Sequence, residues 1–299
     1  MNADTANYKL TSFGLYVPAH IAEQLQHLDM TTLALYETHL KNSGKAEATV
    51  NKYSRSIQHF IIFLGNHCLS IRYVRAWLEN LKKTHHVNTV NNAISALNGL
   101  FKWLGRPDCI VSFYPYQEPQ YREDRRNLEK ADFNRMLDAA DTRMKTMLLT
   151  FFGTGIRVSE LRFFTVEAVK AGQVIVDNKG KTRIVFLEPE TRTVILNFCE
   201  KKGIASGLIF RNRLGQALSR SYIWRAMKKL AKKAGVELSK VFPHNLRHLF
   251  AVERYKVDKD TEDLRLDLGH SLIATTQRYL KETVSKHFER VMKRRLTAG

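Results

Sequence analysis

The sequence predicts a mainly helical α+β protein with one small β-hairpin, divided into two domains. Apolar residues recur at three- and four-residue steps through most of the chain, a spacing that indicates amphipathic helices. A single pair of β-rich runs flanks a short polar loop, which is typical of a hairpin. A proline-punctuated stretch at residues 106–126 separates two helical regions, and a chain of 299 residues has room for about two domains.

The first predicted domain, residues 29–105, contains four helices in a small bundle. Each helix begins near a polar residue that can cap its amino end, and most of them end at a glycine. The predicted caps are Thr31 or Thr32, Thr49, Ser70, and Asn88 or Thr89. Residues 1–28 are expected to form an amino-terminal extension with a short helix candidate at 21–28. Residues 106–126 are expected to form a linker.

The second predicted domain, residues 127–299, holds the hairpin and further helices. Arg157 follows a Gly-Thr-Gly turn and is predicted to start a helix, although pairing with Glu160 is an alternative role for it. The hairpin strands are expected at 174–176 and 184–187, with a basic polar loop between them.

Positive charge is concentrated in the second domain. The net charge is +19 and the pI about 9.9. Residues 127–299 carry 34 basic and 19 acidic side chains, against 10 and 6 in residues 1–105. This excess predicts an anionic partner, nucleic acid first and a membrane surface second. No apolar run is long enough to span a membrane, the amino end has no secretory signal pattern, and three scattered cysteines favour a reduced, cytoplasmic protein.

The stretch from residue 242 to residue 279 concentrates the reactive side chains. His244 and Arg247 lie three residues apart just after a proline. His270 follows a Leu-Gly pair, and Tyr279 comes nine residues later. Together with Arg157 upstream, these are two arginines, two histidines and a tyrosine, the groups needed to attack a phosphodiester without a metal ion.

These residues lie in a series of motifs that resembles the tyrosine recombinases, also called phage-integrase-type site-specific recombinases. The motifs are, in order, Thr-Gly-Ile-Arg-Val-Ser-Glu-Leu at 154–161, the lysine-bearing hairpin, Pro-His-Asn-Leu-Arg-His at 243–248, Leu-Gly-His-Ser at 268–271 and Thr-Thr-Gln-Arg-Tyr at 275–279. The chain is similar in size to the Xer-like members. The resemblance covers about residues 127–299, and the four-helix segment looks, more loosely, like the family's SAM-like core-binding domain.

The resemblance implies which side chains carry the reaction. The residues that fall on the family's catalytic positions are Arg157, His244, Arg247, His270 and Tyr279. The catalytic lysine is expected at Lys179, with Lys181 in reserve. The choice is open because the family's Lys-Gly-Asn-Lys turn is one residue longer than the Lys-Gly-Lys of this chain.

In the implied chemistry, Arg157 and Arg247 bind the non-bridging phosphate oxygens with permanently charged donors, and His270 adds a hydrogen bond. Tyr279 is the nucleophile. An ordinary tyrosine hydroxyl, with a pKa of about 10, needs a general base at neutral pH, for which His244 is the candidate. The lysine protonates the leaving 5′-oxygen. The covalent 3′-phosphotyrosine then allows rejoining without ATP, metal or cofactor.

The resemblance also implies the partners. Double-stranded DNA with specific recombination sites is expected inside a C-shaped clamp formed by the two domains. A homo-tetramer is expected on DNA, with the basic amphipathic tail at 284–299 packing on a neighbouring subunit. The expected location is cytoplasmic and nucleoid-associated, with no membrane partner.

Three other functions fit parts of the sequence. A metallohydrolase would use His244 and His248 as ligands, but no nearby acidic residue completes that motif and Arg247 would repel a cation. A type IB topoisomerase shares the attacking tyrosine and the arginines, and a non-catalytic DNA-binding module would share the fold. His248 and Gly269 are expected to be structural, the first as a packed helix residue and the second as a turn.

Overall fold

The computed structural model describes residues 8–10, 16–18, 28–117, 120–121, 127–178, 180–281 and 284–293. Within these ranges the chain is mainly helical with two separate pairs of antiparallel strands, so the predicted fold class is confirmed. The chain divides into two compact units, Met1–Glu118 and Pro119–Gly299. None of the helices in the described ranges is both long and apolar enough to cross a membrane.

The first unit is built around a four-helix bundle. Its elements are β1 (Tyr8–Leu10), β2 (Tyr16–Pro18), α1 (Met30–Asn42), α2 (Glu47–Leu64), α3 (Ile71–Thr84) and α4 (Val87–Trp103), with β1 and β2 antiparallel. Apolar side chains of all four helices form one core, in which the ring of Phe60 lies edge-on to Trp77 and Phe101. The helix candidate at 21–28 falls outside the described residues except for Leu28, which joins this core.

The first helix begins earlier than the sequence predicts because Asp29, rather than either predicted threonine, caps it. The Asp29 carboxylate accepts hydrogen bonds from the backbone N–H and the hydroxyl of Thr32, both at 2.8 Å. These bonds satisfy a donor that the first helical turn leaves unpaired, and they lower the pKa of Asp29. α2 and α4 also start before their predicted caps, at Glu47 and Val87, whereas α3 starts directly after Ser70 as predicted.

The proline-punctuated stretch begins as part of the first unit. Asn91 and Asn98, about two helical turns apart on α4, each bind both the N–H and the C=O of one residue in that stretch. Their partners are Tyr114 and Val111 respectively, at 2.8–3.1 Å. Cys109 is buried in the same core. The first part of the predicted linker is therefore packed along α4.

The second unit surrounds a separate apolar core. Its helices are α5 (Lys130–Ala139), α6 (Thr142–Thr154), α7 (Val166–Lys170), α8 (Pro189–Lys201), α9 (Arg220–Lys233), α10 (Pro243–Asp258), α11 (Thr261–Leu268), α12 (Ile273–Gln277) and α13 (Val284–Met292), and its strands are β3 (Gln173–Asn178) and β4 (Lys181–Phe186). α6 packs against both α8 and α10. A short 3-10 helix, Val158–Phe163, follows Arg157. Another, Arg278–Leu280, contains Tyr279.

The hairpin has longer strands and a shorter loop than the sequence predicts. Strand pairing continues to Asn178 and Lys181, so only residues 179 and 180 separate the paired ends. Gly180 has a φ of +73°, in the left-handed region where glycine reverses the chain without steric cost. The predicted loop at 177–183 was too long. Valines at alternate positions bury one face of the hairpin, and strand pairing continues from them into the polar residues that were assigned to the loop.

The turn before Arg157 requires glycine. Gly155 ends α6 with a φ of +59°, and a Cβ at this position would lie 2.2 Å from the ring of Phe250 on α10. The close approach of the two helices fixes the direction in which the chain leaves α6. Arg157 then precedes the 3-10 helix Val158–Phe163, close to the predicted helix start.

Candidate active site

Arg247 lies in the first turns of α10 and is 1% exposed. Pro243 occupies the first position of this helix, where its fixed φ suits the helical turn. Arg247 Nη1 donates to the carbonyl of Gly155 at 2.6 Å, and Nη2 donates to that of Leu268. These carbonyls come from the carboxyl ends of α6 and α11, where helices leave acceptors unpaired. The guanidinium therefore ties both helix ends to α10.

His270 follows the carboxyl end of α11 and is 6% exposed. Its Nε2 lies 3.0 Å from Arg247 Nη2, and its Nδ1 lies 3.0 Å from Thr276 Oγ1. Gly269 precedes it with a φ of +62°, and a Cβ there would lie 2.2 Å from the Arg183 side chain. The conformation of Gly269 agrees with its interpretation as a turn residue.

Tyr279 is 9% exposed, and its ring lies among three histidine rings. Its ring centroid is 5.1 Å from that of His270 and 5.3 Å from that of His244. His248 is buried and stacks on it at 6.0 Å, in keeping with the packing role expected for this residue. Arg247 Cζ lies 5.9 Å from the same ring. The structure thus brings four of the predicted site residues together.

Arg157 is linked to this cluster through Glu160, which is 1% exposed. One Glu160 oxygen accepts a bond from Arg157 Nη1 at 3.0 Å, and the other accepts from the Arg157 backbone N–H at 2.8 Å. The side chain of Arg157 remains 33% exposed. The predicted alternative, pairing with Glu160, is therefore observed, and it leaves part of the guanidinium accessible.

Arg183 connects the hairpin to both halves of the site. Its Nη2 donates to the second oxygen of Glu160 at 2.8 Å, and its Nη1 donates to the carbonyl of Asp267 at 2.9 Å. Its aliphatic part lies against Gly269. Burial lowers the pKa of Arg183, and Glu160 opposes that shift. The buried Glu160 carboxylate thus holds Arg157 and Arg183 at the same time.

The structure describes one of the two candidate lysines, Lys181. Lys179 lies outside the described residues. Lys181 begins β4, and its Nζ donates to the hydroxyl of Ser271 at 2.8 Å. Because Ser271 directly follows His270, the reserve lysine lies at the edge of the site.

Burial and clustered positive charge determine the ionisation of the site. Burial lowers the pKa of His270 to about 4, with further lowering by the charges of Arg247 and Arg157. Burial also lowers the pKa of Arg247 to about 10, Arg157 adds to the shift, and Tyr279 opposes it. At neutral pH the site therefore presents charged guanidiniums beside a neutral imidazole.

A metal site was one alternative for the two histidines on α10. Among the residues that the structure describes, no group of three or more His, Cys, Asp or Glu side chains is arranged to hold a metal ion. His244 and His248 lie against the ring of Tyr279, and the buried guanidinium of Arg247 is in the same cluster.

Two residues in this network, Arg183 and Thr276, carried no role in the sequence analysis. Arg183 lies two positions before the buried Val185 on the same strand, so both side chains point to one face. An arginine on the buried face of a strand needs a carboxylate partner, and this alternation was the available signal. Thr276 is three residues before Tyr279, a helical spacing that places the two on one face.

Comparison with known proteins agrees with this arrangement. A model of the phage integrase family matches residues 126–286, more than half of the chain, and a model of the phage integrase N-terminal SAM-like domain matches residues 33–109. The tyrosine recombinase XerA of Thermococcus kodakarensis is 28% identical over 260 residues, 83% of this chain and 90% of that protein. The tyrosine recombinase XerD of Haemophilus influenzae is 28% identical over 297 residues, 87% of this chain and 98% of that protein.

Solved structures share the fold. A lambda integrase dimer bound to a COC′ core site has a TM-score of 0.71 at 16% identity, covering 87% of this chain and 79% of that chain. The Tn1549 transposon integrase in complex with circular intermediate DNA has a TM-score of 0.66 at 18% identity, covering 88% of this chain and 99% of that chain. These structures show a shared fold, whereas the family model that matches more than half of the chain shows its family. The chain belongs to the phage integrase family and is a tyrosine site-specific recombinase.

Proposed function

We propose that this chain cleaves and rejoins DNA strands through a covalent bond between Tyr279 and a 3′-phosphate. The observation that carries the proposal is the surroundings of Tyr279, whose ring lies against His244, His270 and Arg247. A tyrosine that serves only packing does not need a buried guanidinium and two imidazoles around it. Arg247 and His270 are both buried with lowered pKa values beside one tyrosine ring, and such perturbed groups are typical of catalytic sites.

Arg157 and Arg247 bind the non-bridging phosphate oxygens in this proposal, and His270 adds a hydrogen bond. Glu160 orients Arg157, and two backbone carbonyls orient Arg247. The Nε of Arg247 is buried without a hydrogen-bond partner among the described residues, so one donor remains for a phosphate oxygen. Losing one preorganised donor of this kind costs about 3–4 kcal/mol of transition-state stabilisation.

In the cleavage step, the Tyr279 oxygen bonds to phosphorus and the bond from phosphorus to the 5′-oxygen breaks. The tyrosine proton passes to His244, the proposed general base. The leaving 5′-oxygen takes a proton from Lys179, or from Lys181 in reserve. In the rejoining step, a second 5′-hydroxyl attacks the phosphotyrosine and gives its proton to the lysine, the bond from phosphorus to the Tyr279 oxygen breaks, and His244 returns its proton to that oxygen. The reaction therefore needs no ATP, metal or cofactor.

Duplex DNA with specific recombination sites is the proposed substrate. The net charge of +19, most of it in residues 127–299, suits a polyanion. The lambda and Tn1549 integrase structures were determined with DNA. We assign core binding to residues 29–105, linkage to 106–126 and catalysis to 127–299, and we place the protein at the nucleoid.

The carboxy-terminal helix α13 is proposed to join four copies on DNA. Within it, Phe288 is 60% exposed and Met292 63% exposed, while Lys286 pairs with Glu129 of the same unit at 3.0 Å. An exposed apolar face on a basic helix suits contact with another subunit. The tail would then dock on the neighbouring copy in a homo-tetramer.

A covalent-adduct assay tests the proposed reaction. DNA recovered by crosslinking Tyr279→Phe protein to the host genome is rebuilt as nicked half-sites, incubated with the wild-type chain and denatured. We expect an adduct that resists EDTA and is absent from Tyr279→Phe, which keeps the ring and removes only the hydroxyl. No adduct on any recovered duplex would instead indicate a DNA-binding module, and loss in EDTA a metalloenzyme. Relaxation of supercoiled plasmids without site preference would indicate a topoisomerase.

The same duplexes, left intact, test the tail. A chain truncated before Val284 is expected to bind DNA but not to bring two duplexes together in a native gel. Unchanged pairing of duplexes by the truncated chain would contradict the role of α13 in assembly.

A further inference from the structure

Thr276 contacts His270 from the helix that leads to Tyr279. Its side chain is 0% exposed, and its Oγ1 lies 3.0 Å from His270 Nδ1. The other ring nitrogen, Nε2, lies 3.0 Å from Arg247 Nη2. Both nitrogens of the buried imidazole therefore have one partner each, and the two partners differ in chemistry.

The partners determine where the ring carries its proton. An arginine has only donors, so Arg247 can satisfy Nε2 only if that nitrogen accepts. Because burial and the neighbouring arginines lower the pKa of His270 to about 4, the ring is neutral at pH 7 and has one N–H. That proton is consequently on Nδ1, where it is donated to the hydroxyl oxygen of Thr276.

This arrangement is not the one that the proposed reaction uses. To donate a hydrogen bond to a phosphate oxygen beside Arg247, His270 must carry its proton on Nε2. The ring would then gain a proton on Nε2 and lose one from Nδ1, both exchanged with water. Nδ1 would become an acceptor, and its partner would have to become a donor.

We propose that Thr276 is a positioning residue that keeps His270 in place in both tautomers, as acceptor without DNA and as donor when a phosphate is bound. A hydroxyl can serve both roles because it has one proton and two lone pairs. The inference deepens the proposed function and rests on it for the role of His270 in cleavage.

The contact also joins His270 to the nucleophile. Thr276 belongs to α12, and Tyr279 follows three residues later. The backbone of His270 is held independently, since its N–H donates to the carbonyl of Arg265 at 3.0 Å and its carbonyl accepts from Arg265 Nη1 at 2.7 Å. Removal of the Thr276 hydroxyl should therefore release the ring while leaving the turn in place.

The ionisable groups around the ring decide what a pH profile reports. The charged groups that lower the pKa of His270 are Arg247 and His244 on α10, Arg183 on β4, and Arg157 just before the 3-10 helix Val158–Phe163. The ring of Tyr279 covers another side, at 5.1 Å. The Thr276 variants leave all of these groups unchanged in sequence, so we expect a change in the pH profile to come from the lost hydroxyl.

The experiment compares Thr276→Val, which keeps the shape without the hydroxyl, with Thr276→Ser, which keeps the hydroxyl. Proteins with ¹⁵N-labelled histidine are examined by NMR at pH 7 without DNA, and His270→Gln assigns the signal. We expect the Nδ1–H tautomer in wild type and Thr276→Ser and a mixture in Thr276→Val. An Nε2–H tautomer in the wild-type chain would overturn the inference even if Thr276→Val failed to fold.

The second half of the experiment follows DNA binding and cleavage. In Tyr279→Phe protein saturated with recovered duplex, His270 is expected to change to the Nε2–H tautomer. In single-turnover cleavage, Thr276→Val should be slower by about tenfold to a hundredfold, with unchanged DNA affinity and an altered pH profile, while Thr276→Ser stays within about threefold of wild type. Equal rates and pH profiles for the valine variant would overturn the inference. Absence of adduct from the wild type would overturn the proposed function alone, because the DNA-free spectra still test the contact.

Discussion

The two units bury different kinds of side chain. Among the described residues of the first unit, Thr32 is the only polar residue counted as buried, and the rest of that core is apolar. The described part of the second unit buries ten polar or charged residues: Asp132, Thr146, Thr150, Thr154, Glu160, Asn245, Arg247, His248, His270 and Thr276. The first unit is therefore held mainly by non-directional contacts, and the second also depends on hydrogen bonds and charges that must be matched.

Because of this difference, the stability of the second unit depends on polar contacts that lie in or beside its site. Apolar burial tolerates many substitutions of similar volume, whereas a buried charge is costly once its partner is lost. Glu160 and Arg247 each hold together segments that are far apart in the sequence. Substitutions that remove one partner of a buried polar contact are thus expected to lower the stability of the second unit more than that of the first.

The largest expected effect follows from Glu160→Gln. The neutral amide takes from the buried guanidinium of Arg183 its ion-pair partner, which should lower the stability of the second unit by about 4 kcal/mol. The control in the first unit is Asp108→Asn, which breaks the exposed pair with Arg106 and should cost under about 1 kcal/mol. Native-state hydrogen exchange read peptide by peptide measures each unit in the full chain.

A double variant sharpens the same comparison. Adding Arg183→Met to Glu160→Gln removes the uncompensated charge and should restore part of the lost stability. A double variant that is no more stable than Glu160→Gln would show that charge burial is not the cause.

The second effect is the pH dependence that His270 gives to the second unit. Folded His270 has a pKa of about 4 against 6.5 for the free side chain, so between these values only the unfolded state binds the proton. Stability should therefore fall as pH decreases through this window, by at most about 3 kcal/mol from this group. The measurement is hydrogen exchange from pH 7 to pH 4.5, corrected for intrinsic rates. His270→Gln should show a smaller loss than wild type, and equal losses would refute the assignment.

The smallest effect compares two glycines with positive φ. Gly155→Ala combines left-handed backbone strain with a contact against Phe250 and should cost about 2 kcal/mol. Gly44→Ala, at the end of α1, meets no atom within 4 Å and should cost about 1 kcal/mol from backbone strain alone. Thermal or urea unfolding of the full chain checks the order, and equal costs would mean that Phe250 moves aside.

Periodicity predicted the fold class because each helix shows its own apolar face in local sequence. Local signals were weaker at element ends. Asp29, rather than either predicted threonine, caps the first helix. Most of the predicted loop at 177–183 belongs to the paired strands. The motif residues around Tyr279 were predicted from resemblance, and the structure places His244, Arg247 and His270 beside it.

The links between distant residues could not be predicted from spacing. Arg183 reaches Glu160 and the carbonyl of Asp267 across 23 and 84 residues respectively. The local sequence does not indicate which carboxylate pairs with a buried arginine, because the pairing depends on how the hairpin packs on α11. The contact between Thr276 and His270 spans only six residues, but it runs from the segment after α11 into α12, across an element boundary where local signals are weak.

The hairpin register has a consequence for how this sequence can diverge over evolutionary time. Val176 pairs with Arg183, and the chain between Asn178 and Lys181 contains only two residues. Insertions or deletions at that tip leave the strands paired and Arg183 beside Glu160. One residue gained or lost within a strand would turn Arg183 to the opposite face. Lineages descended from this protein are therefore expected to accumulate length changes at the tip and to keep the strand lengths constant.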